Sequence, residues 1–346
     1  MKLADIHILD SISPLALDQY LEKGWFRLGQ NMFTTNFLTF DQKQFSALWL
    51  RVKLREFELS PTQQKIIKNC KNFEVRFSEF VLTSELENLY YNYRNSVSFT
   101  AVSSLQTLLL DQQLFNIFQS MQIQVFDKGK LIAAGVFDMG EKTAQGIVSF
   151  YNPDYKKYSL GKFLLLQKVL FLKSKNYDFF YPGYFAPGFK SFDYKLDIAP
   201  SASEYLDLEN GKWTSLMDFN PVSLPLRKIE KKLKLLSIEL GLLGVQHDLL
   251  KYDFFDLNMT REYKEYKLLD TPRILLLPSF PMHEEWLVTY SIVNKKYEFV
   301  VAQKAFQTNL EMQEGVYNKF LLRPVRILFS APEIHGFLEK WIDAFS

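Results

Sequence analysis

Residues 151–195 constrain this chain more than any other stretch, because they read as strand end, turn, helix and strand in immediate succession. The run QGIVSFY, ending at Tyr151, has the apolar alternation of a strand. A polar turn, YNPDYKKY, leads to Ser159, which the pattern predicts as the N-cap of a long helix without interior proline. Gly161 costs helix propensity in the first turn, and it lets a partner approach the backbone closely. The next segment, DFFYPGYF, is an aromatic strand that Pro182 and Gly183 must break or bulge.

Such a unit aims unpaired backbone N–H groups and the positive end of a helix dipole at one point. Lys156, Lys157 and Lys162 flank that point here. A phosphate-bearing donor is therefore expected at residues 159–162. Spacing alone favours the plainer reading, a crossover helix capped by Ser159 for stability.

The residues themselves carry more than the spacing. The Tyr-x-x-x-x-Ser-Leu-Gly turn at 155–161, YPGYF at 181–185, the pair Tyr194-Lys195 and NGKWTSL at 210–216 occur in that order. Together they resemble the C-terminal half of the arginyl- and leucyl-tRNA–protein transferases, whose acyl-transfer domain has the acetyltransferase (GNAT) fold. The resemblance implies an α+β or α/β architecture: a GNAT-like mixed sheet flanked by helices, behind an N-terminal transferase-specific region. It also implies transfer of arginine or leucine from a charged tRNA to a protein N-terminal amine.

Acyl transfer needs a deprotonated amine beside an ester or thioester carbonyl, and oriented donors for the oxyanion. GNAT folds supply the backbone donor where two strands splay, which corresponds here to the strands ending at Tyr151 and Tyr184. By resemblance, Tyr151, Tyr184, Tyr194 and Lys195 form the catalytic set. Lys157, Ser159, Leu160, Gly161 and Lys162 would bind the donor phosphate or tRNA 3′ end, while Tyr181 and Asp193 would line the aminoacyl or acceptor pocket. Each tyrosine also reads as a packed residue with a satisfied hydroxyl. No tightly bound cofactor is expected, aminoacyl-tRNA being a co-substrate. Acetyl-CoA is the alternative donor, although the turn before the helix offers one glycine, Gly161, where CoA enzymes of this fold have more.

The first half extends the resemblance. Gly24 to Arg27 and Phe33 partly match the family's Gly-x-Arg opening, and LWLRVKL followed by a helix beginning Ser-Pro-Thr-Gln-Gln-Lys matches its next stretch. Where the family carries a cysteine cluster, this chain has Thr34, Thr35, Asn36 and Phe37. Chemistry that needs those cysteines is closed to it. Residues 24–37 suggest a hairpin around Gly29-Gln30-Asn31, residues 45–54 one half-buried strand, and residues 85–94 a helix with aromatics on one face. From Met121, three strand-like runs are separated by Asp-Lys-Gly-Lys and Gly-Glu-Lys turns.

Beyond Phe219 the resemblance stops, and the prolines at 221 and 225 mark a boundary. Residues 227–243 form an amphipathic helix with a basic side of Arg227, Lys228, Lys231, Lys232 and Lys234. It reads first as a solvated face and second as a phosphate-contact patch for a tRNA acceptor stem. Strand-like runs begin at Ile274, Glu285, Tyr297 and Val325, with a closing helix over 333–345. The expected division is 1–110, a transferase-like region; 111–219, the GNAT-like domain; and 220–346, an appended α/β domain.

A chain of 346 residues has room for these units. Its formal net charge of +2 predicts no general attraction to polyanions, so charged tRNA must be met by a local patch. One cysteine, Cys70, excludes an internal disulfide framework, and the four histidines show no ligand spacing, so no metal site is expected. An acidic N-terminus without an apolar core, and no run long enough to span a bilayer, predict a cytoplasmic protein with no membrane partner. The expected partners are charged tRNA and a protein or peptide N-terminus. Two alternatives stand beside the transferase: a CoA-dependent N-acyltransferase, and a catalytically inactive relative that binds tRNA or degrons.

Overall fold

The computed structural model describes every residue except 1, 98–101, 112, 280–282 and 346. Its centre is the antiparallel trio Ser120–Asp127, Lys130–Met139 and Thr143–Tyr151. Lys128 and Gly129 both adopt positive φ (50° and 81°), the backbone that a two-residue hairpin turn requires. Five further strands widen the trio to eight, in the order Lys212–Ser215, Ser203–Asp207, Leu48–Lys53, Phe179–Phe185, Thr143–Tyr151, Lys130–Met139, Ser120–Asp127, Glu74–Glu79. All neighbours are antiparallel except Thr143–Tyr151 with Phe179–Phe185. The helix Leu160–Ser174 makes the crossover that this parallel pair demands.

Helices cover both faces. Leu160, Phe163 and Leu164 of the crossover helix, with Ile66 and Ile67 of the helix Pro61–Asn69, pack on Ile123, Val125 and Ile132. Leu86, Leu89 and Tyr90 of the helix Ser84–Ser96, with Leu105 and Leu109, pack on Ala134, Val136 and Phe150 across the sheet. Antiparallel trio, crossover helix and one parallel strand together make the GNAT-like mixed sheet that the resemblance implied. Ser60 and Gln63 close a reciprocal capping box at the start of the Pro61–Asn69 helix, as its Ser-Pro opening suggests.

Three features depart from the expectations. The sheet takes Leu48–Lys53 and Glu74–Glu79 from before residue 110, so one sheet crosses the 110/111 division. The single strand expected over 45–54 is two strands, Lys43–Ser46 and Leu48–Lys53, in different sheets. Ala47 separates them, its N–H donating to the Asn36 carbonyl at 2.8 Å. Ser159, expected as a side-chain cap, sits in the left-handed region (φ 55°, ψ 43°) and makes no capping bond through its hydroxyl. It follows directly on a 3-10 turn, Pro153–Tyr158, and the reversal between the two helices sets its backbone.

Residues 220–346 build a second sheet of six strands, ordered Val316–Tyr317, Asp248–Tyr252, Arg273–Leu277, Glu284–Ser291, Lys296–Gln307, Phe320–Ala331. The helix Pro225–Leu242 lays Ile229, Leu233, Leu236 and Leu240 on it, and Phe337 of the helix Ile334–Phe345 joins the same core. Leu3, Phe37 and Leu208 from the first part also enter that core.

Candidate acyl-transfer site

Parallel pairing of Thr143–Tyr151 with Phe179–Phe185 covers three registers, ending at Gln145 opposite Tyr181. Pro182 ends it, having no N–H to continue the ladder, and Gly183 then takes φ +90°. Each strand also bulges there, between Gly146 and Val148 in one and between Phe180 and Gly183 in the other. Past this point the strands part, and the facing edge of residues 147–151 has no ladder partner. Backbone N–H groups at such a cleft are available to a developing oxyanion.

Lys195 lies on the Gly183–Tyr184 side of the cleft. It belongs to the short 3-10 helix Lys190–Lys195. Its Nζ donates to the Tyr184 carbonyl at 2.6 Å and lies 5.4 Å and 5.0 Å from the ring centres of Tyr184 and Phe192. A Cβ at residue 183 would come 3.3 Å from this Nζ, so Gly183 keeps the space open. With aromatic walls and no carboxylate among its described partners, burial pushes the ammonium down to about 7. The Tyr184 ring packs edge-on to Trp49 and Phe192, and burial raises its hydroxyl.

On the opposite wall, the Tyr151 ring lies over Gly161, 3.5 Å from where a Cβ there would stand, and 5.2 Å from the ring of Tyr93. The Tyr93 hydroxyl is pushed up to about 12, by burial first and then by the neighbouring hydroxyls of Tyr151, Tyr194 and Tyr90. Tyr194 is 46% exposed. Sequence reasoning missed Tyr93, although the aromatic face of its helix was visible.

At the helix start, Leu160 is fully buried and offers only its backbone. Lys157 is exposed and leans on the Tyr158 ring, at 5.2 Å. Lys162 pairs with Asp197 at 3.1 Å, both side chains well exposed. Because the Ser159 hydroxyl does not cap, no side chain occupies the first N–H groups of this helix. Tyr181 is fully buried against Phe26, Phe179 and Trp213, and its hydroxyl donates to Glu22 at 3.3 Å. That is a packed position rather than a pocket wall, and burial raises its pKa far above the ordinary tyrosine value. Asp193 is exposed, on the turn that carries Lys195.

A cavity of about 540 Å³ opens beside these residues, between the starts of the Pro61–Asn69 and Leu160–Ser174 helices and the segment 197–202. Lys162 and Tyr194 stand on its wall with Glu58 and Asp197, while Ile66, Leu165, Leu166 and Ile198 supply apolar surface. Cys70 takes no part in this site. It is buried, its thiol is pushed up to about 11, and it sits 3.6 Å from the Tyr158 carbonyl. The cysteine-cluster positions are filled by packing: Thr34 Oγ1 donates to the Gly24 carbonyl, Thr35 Oγ1 to the Phe37 carbonyl, and Asn36 to the Leu3 carbonyl. On the basic helix, Lys228 pairs with Glu209 and Lys232 lies over the rings of Tyr290 and Tyr297. Arg227, Lys231 and Lys234 remain exposed.

The antiparallel trio, the crossover helix and the parting parallel pair have the arrangement of a GNAT-like fold. Residues 61–204 match the family description "Arginine-tRNA-protein transferase, C terminus". The chain is similar to the aspartate/glutamate leucyltransferase of Leptospira interrogans, 27% identical over 216 residues covering 61% of this chain and 82% of that protein. The Campylobacter jejuni protein of the same name is 26% identical over 190 residues, covering 53% and 77%. Among solved structures, the ribosomal-protein-S18-alanine N-acetyltransferase of Escherichia coli overlaps 30% of this chain and 63% of its own, with 17% identity and a TM-score of 0.24. That likeness is too loose to argue from. Over residues 61–204 this chain is thus similar to the aminoacyl-tRNA–protein transferases.

Proposed function

We propose that this protein moves leucine from the 3′ end of a charged tRNA to the α-amino group of a protein N-terminus. The observation that carries this reading is Lys195. It is a half-buried lysine held against aromatic rings at the strand splay, with its pKa lowered to about 7, and so it holds a large neutral fraction at neutral pH. An acceptor α-ammonium titrates near ~7.7–8.0, close enough for such an amine to take its proton. The freed amine attacks the ester carbonyl of the aminoacyl group. A C–N bond forms, the ester C–O bond breaks, and the ribose hydroxyl leaves with a proton. Backbone N–H groups of the splayed strand hold the oxyanion between these events, and Tyr151 and Tyr194 orient the two substrates.

Leucine rather than arginine is favoured by two features. The relatives reported above bear the name leucyltransferase, and the cavity beside Lys162 and Tyr194 is lined by aliphatic side chains, among them Leu59, Ile66, Leu165, Leu166 and Ile198. Its carboxylates, Glu58 and Asp197, suit the α-ammonium of an aminoacyl group. The names of these relatives point to acceptors that begin with aspartate or glutamate. A CoA donor is the weaker reading, because a single glycine serves the helix start.

The test offers purified protein labelled leucyl-tRNA or arginyl-tRNA, with peptides beginning Asp, Glu, Lys or Arg. Label is expected from leucyl-tRNA onto the Asp and Glu peptides. Label from arginyl-tRNA alone would overturn the choice of amino acid. No transfer from either by the folded protein would overturn the activity.

A further inference from the structure

The crossover helix hides a buried lysine. Leu160, Leu164, Lys168 and Leu172 fall four residues apart on one face, and all four are buried. Three of them fill the core as leucines should. Lys168, 1% exposed, instead sends its ammonium to the sheet. Its Nζ lies 3.2 Å from the Val136 carbonyl, 3.0 Å from the Val148 carbonyl and 3.1 Å from the Ser149 hydroxyl. Gly135 makes the room: a Cβ there would stand 2.8 Å from Nζ.

The place it reaches is specific. Val136 and Val148 are the first pair after the bulge that interrupts the register of Thr143–Tyr151 with Lys130–Met139. The same strand lost its parallel partner at Gln145, just before that bulge. A bulge disrupts the ladder locally and bends the strand that carries it. A carbonyl left short of a donor at such a place costs free energy, the more so where it is buried, as at Val136. One lysine satisfies both carbonyls.

We propose that Lys168 is a positioning residue for the transfer site: by holding both carbonyls at the bulge, it keeps the strand bent away from Phe179–Phe185 and the cleft open. Rested on the transfer reading, this means Lys168 fixes the N–H groups of residues 147–151 where the oxyanion forms. Its grip does not depend on its charge. A neutral amine keeps two N–H bonds for the two carbonyls, and the Ser149 hydroxyl then donates to its nitrogen.

The test uses the full chain with Lys168→Met, which keeps the apolar stem and deletes the donors, and Gly135→Ala, which keeps the lysine and crowds it out. In both, kcat for transfer should fall ~10- to 100-fold, the scale of a misplaced reacting group. KM for charged tRNA should stay within about twofold, since the loss belongs to the transition state. Amide hydrogen exchange should quicken over 146–151 and stay unchanged over Ser120–Asp127. Wild-type kcat and exchange in both folded variants would overturn the proposal. So would exchange that quickens uniformly across the sheet, which would make Lys168 a general stabiliser. If the wild type transfers nothing, the transfer reading falls, while the exchange arm still decides what Lys168 does to the strand.

Discussion

At the residue scale, the molecule places four charged side chains where charge is expensive, two as an ion pair and two as single lysines. Arg27 and Asp138 are buried together, 2.8 Å apart. Arg27 also donates to the Gly29 and Leu109 carbonyls, while Ser120 and Gln145 donate to Asp138. Burial raises Asp138 and lowers Arg27, each against the pull of the other. Arg27→Met would leave Asp138 buried without its cation, so a loss of ~3–5 kcal/mol is expected, read as a lowered urea midpoint. The other two, Lys168 and Lys195, form no ion pair among the described residues, and burial lowers both to about 7, against the pull of Asp138 at Lys168. An unfolded lysine titrates near ~10.4. Between about 7 and ~10 the unfolded chain therefore binds more protons than the folded one, and stability rises with pH across that window. Urea unfolding at pH 7 and pH 9 checks the sign, and Lys168→Met should remove part of the slope. The sequence showed Lys195 through its Tyr-Lys pair. It also showed a lone lysine in the apolar run LLLQKVLFL, which went unread because helical periodicity does not say that a cation points inward.

At the element scale, the strand–turn–helix–strand unit was legible from apolar alternation and from Pro182, and the structure puts the parting of the strands at that proline. What sequence could not supply was the handedness of the turn. Ser159 has the composition of a cap, yet the reversal from Pro153–Tyr158 into the next helix puts it at φ 55°. Propensity records which residues cap helices, whereas the neighbouring turn decides which backbone a residue must adopt. The consequence is measurable. Ser159→Ala should change stability by less than ~0.5 kcal/mol, where loss of a true cap would cost ~1 kcal/mol. Ser159→Gly should raise it, because glycine enters the left-handed region without steric cost. Thermal melts of the two variants distinguish the accounts.

At the scale of the whole molecule, the two sheets were legible as separate runs of strands, but their union was not. The prolines at 221 and 225 suggested a boundary. In the structure, Phe37 is fully buried in the second core, edge-on to Phe255. Gln44 donates to the Tyr252 carbonyl at 3.0 Å, Lys251 to the Gln42 carbonyl at 3.0 Å, and the Leu226 N–H to Ser46 at 3.1 Å. The hairpin 37–46 that makes these contacts also stacks Phe40 on Phe189, 4.4 Å away, in the segment leading to Lys195. Such long-range docking has no local signature, since Phe37 alone looks like any strand aromatic. Phe37→Ala should cost ~3–5 kcal/mol and loosen both parts together in a single unfolding transition, followed by near-ultraviolet dichroism.

The central claim, that a neutral Lys195 takes the acceptor's proton at the strand splay, is tested most directly by single-turnover transfer from leucyl-tRNA against pH, in the wild type and in Lys195→Ala. The wild-type rate should climb as pH rises through about 7, following loss of the Lys195 proton. In Lys195→Ala the rate should be ~10²-fold lower, and the rise set by that lysine should be gone. A folded Lys195→Ala variant that transfers at the wild-type rate, with the same pH profile, would contradict it.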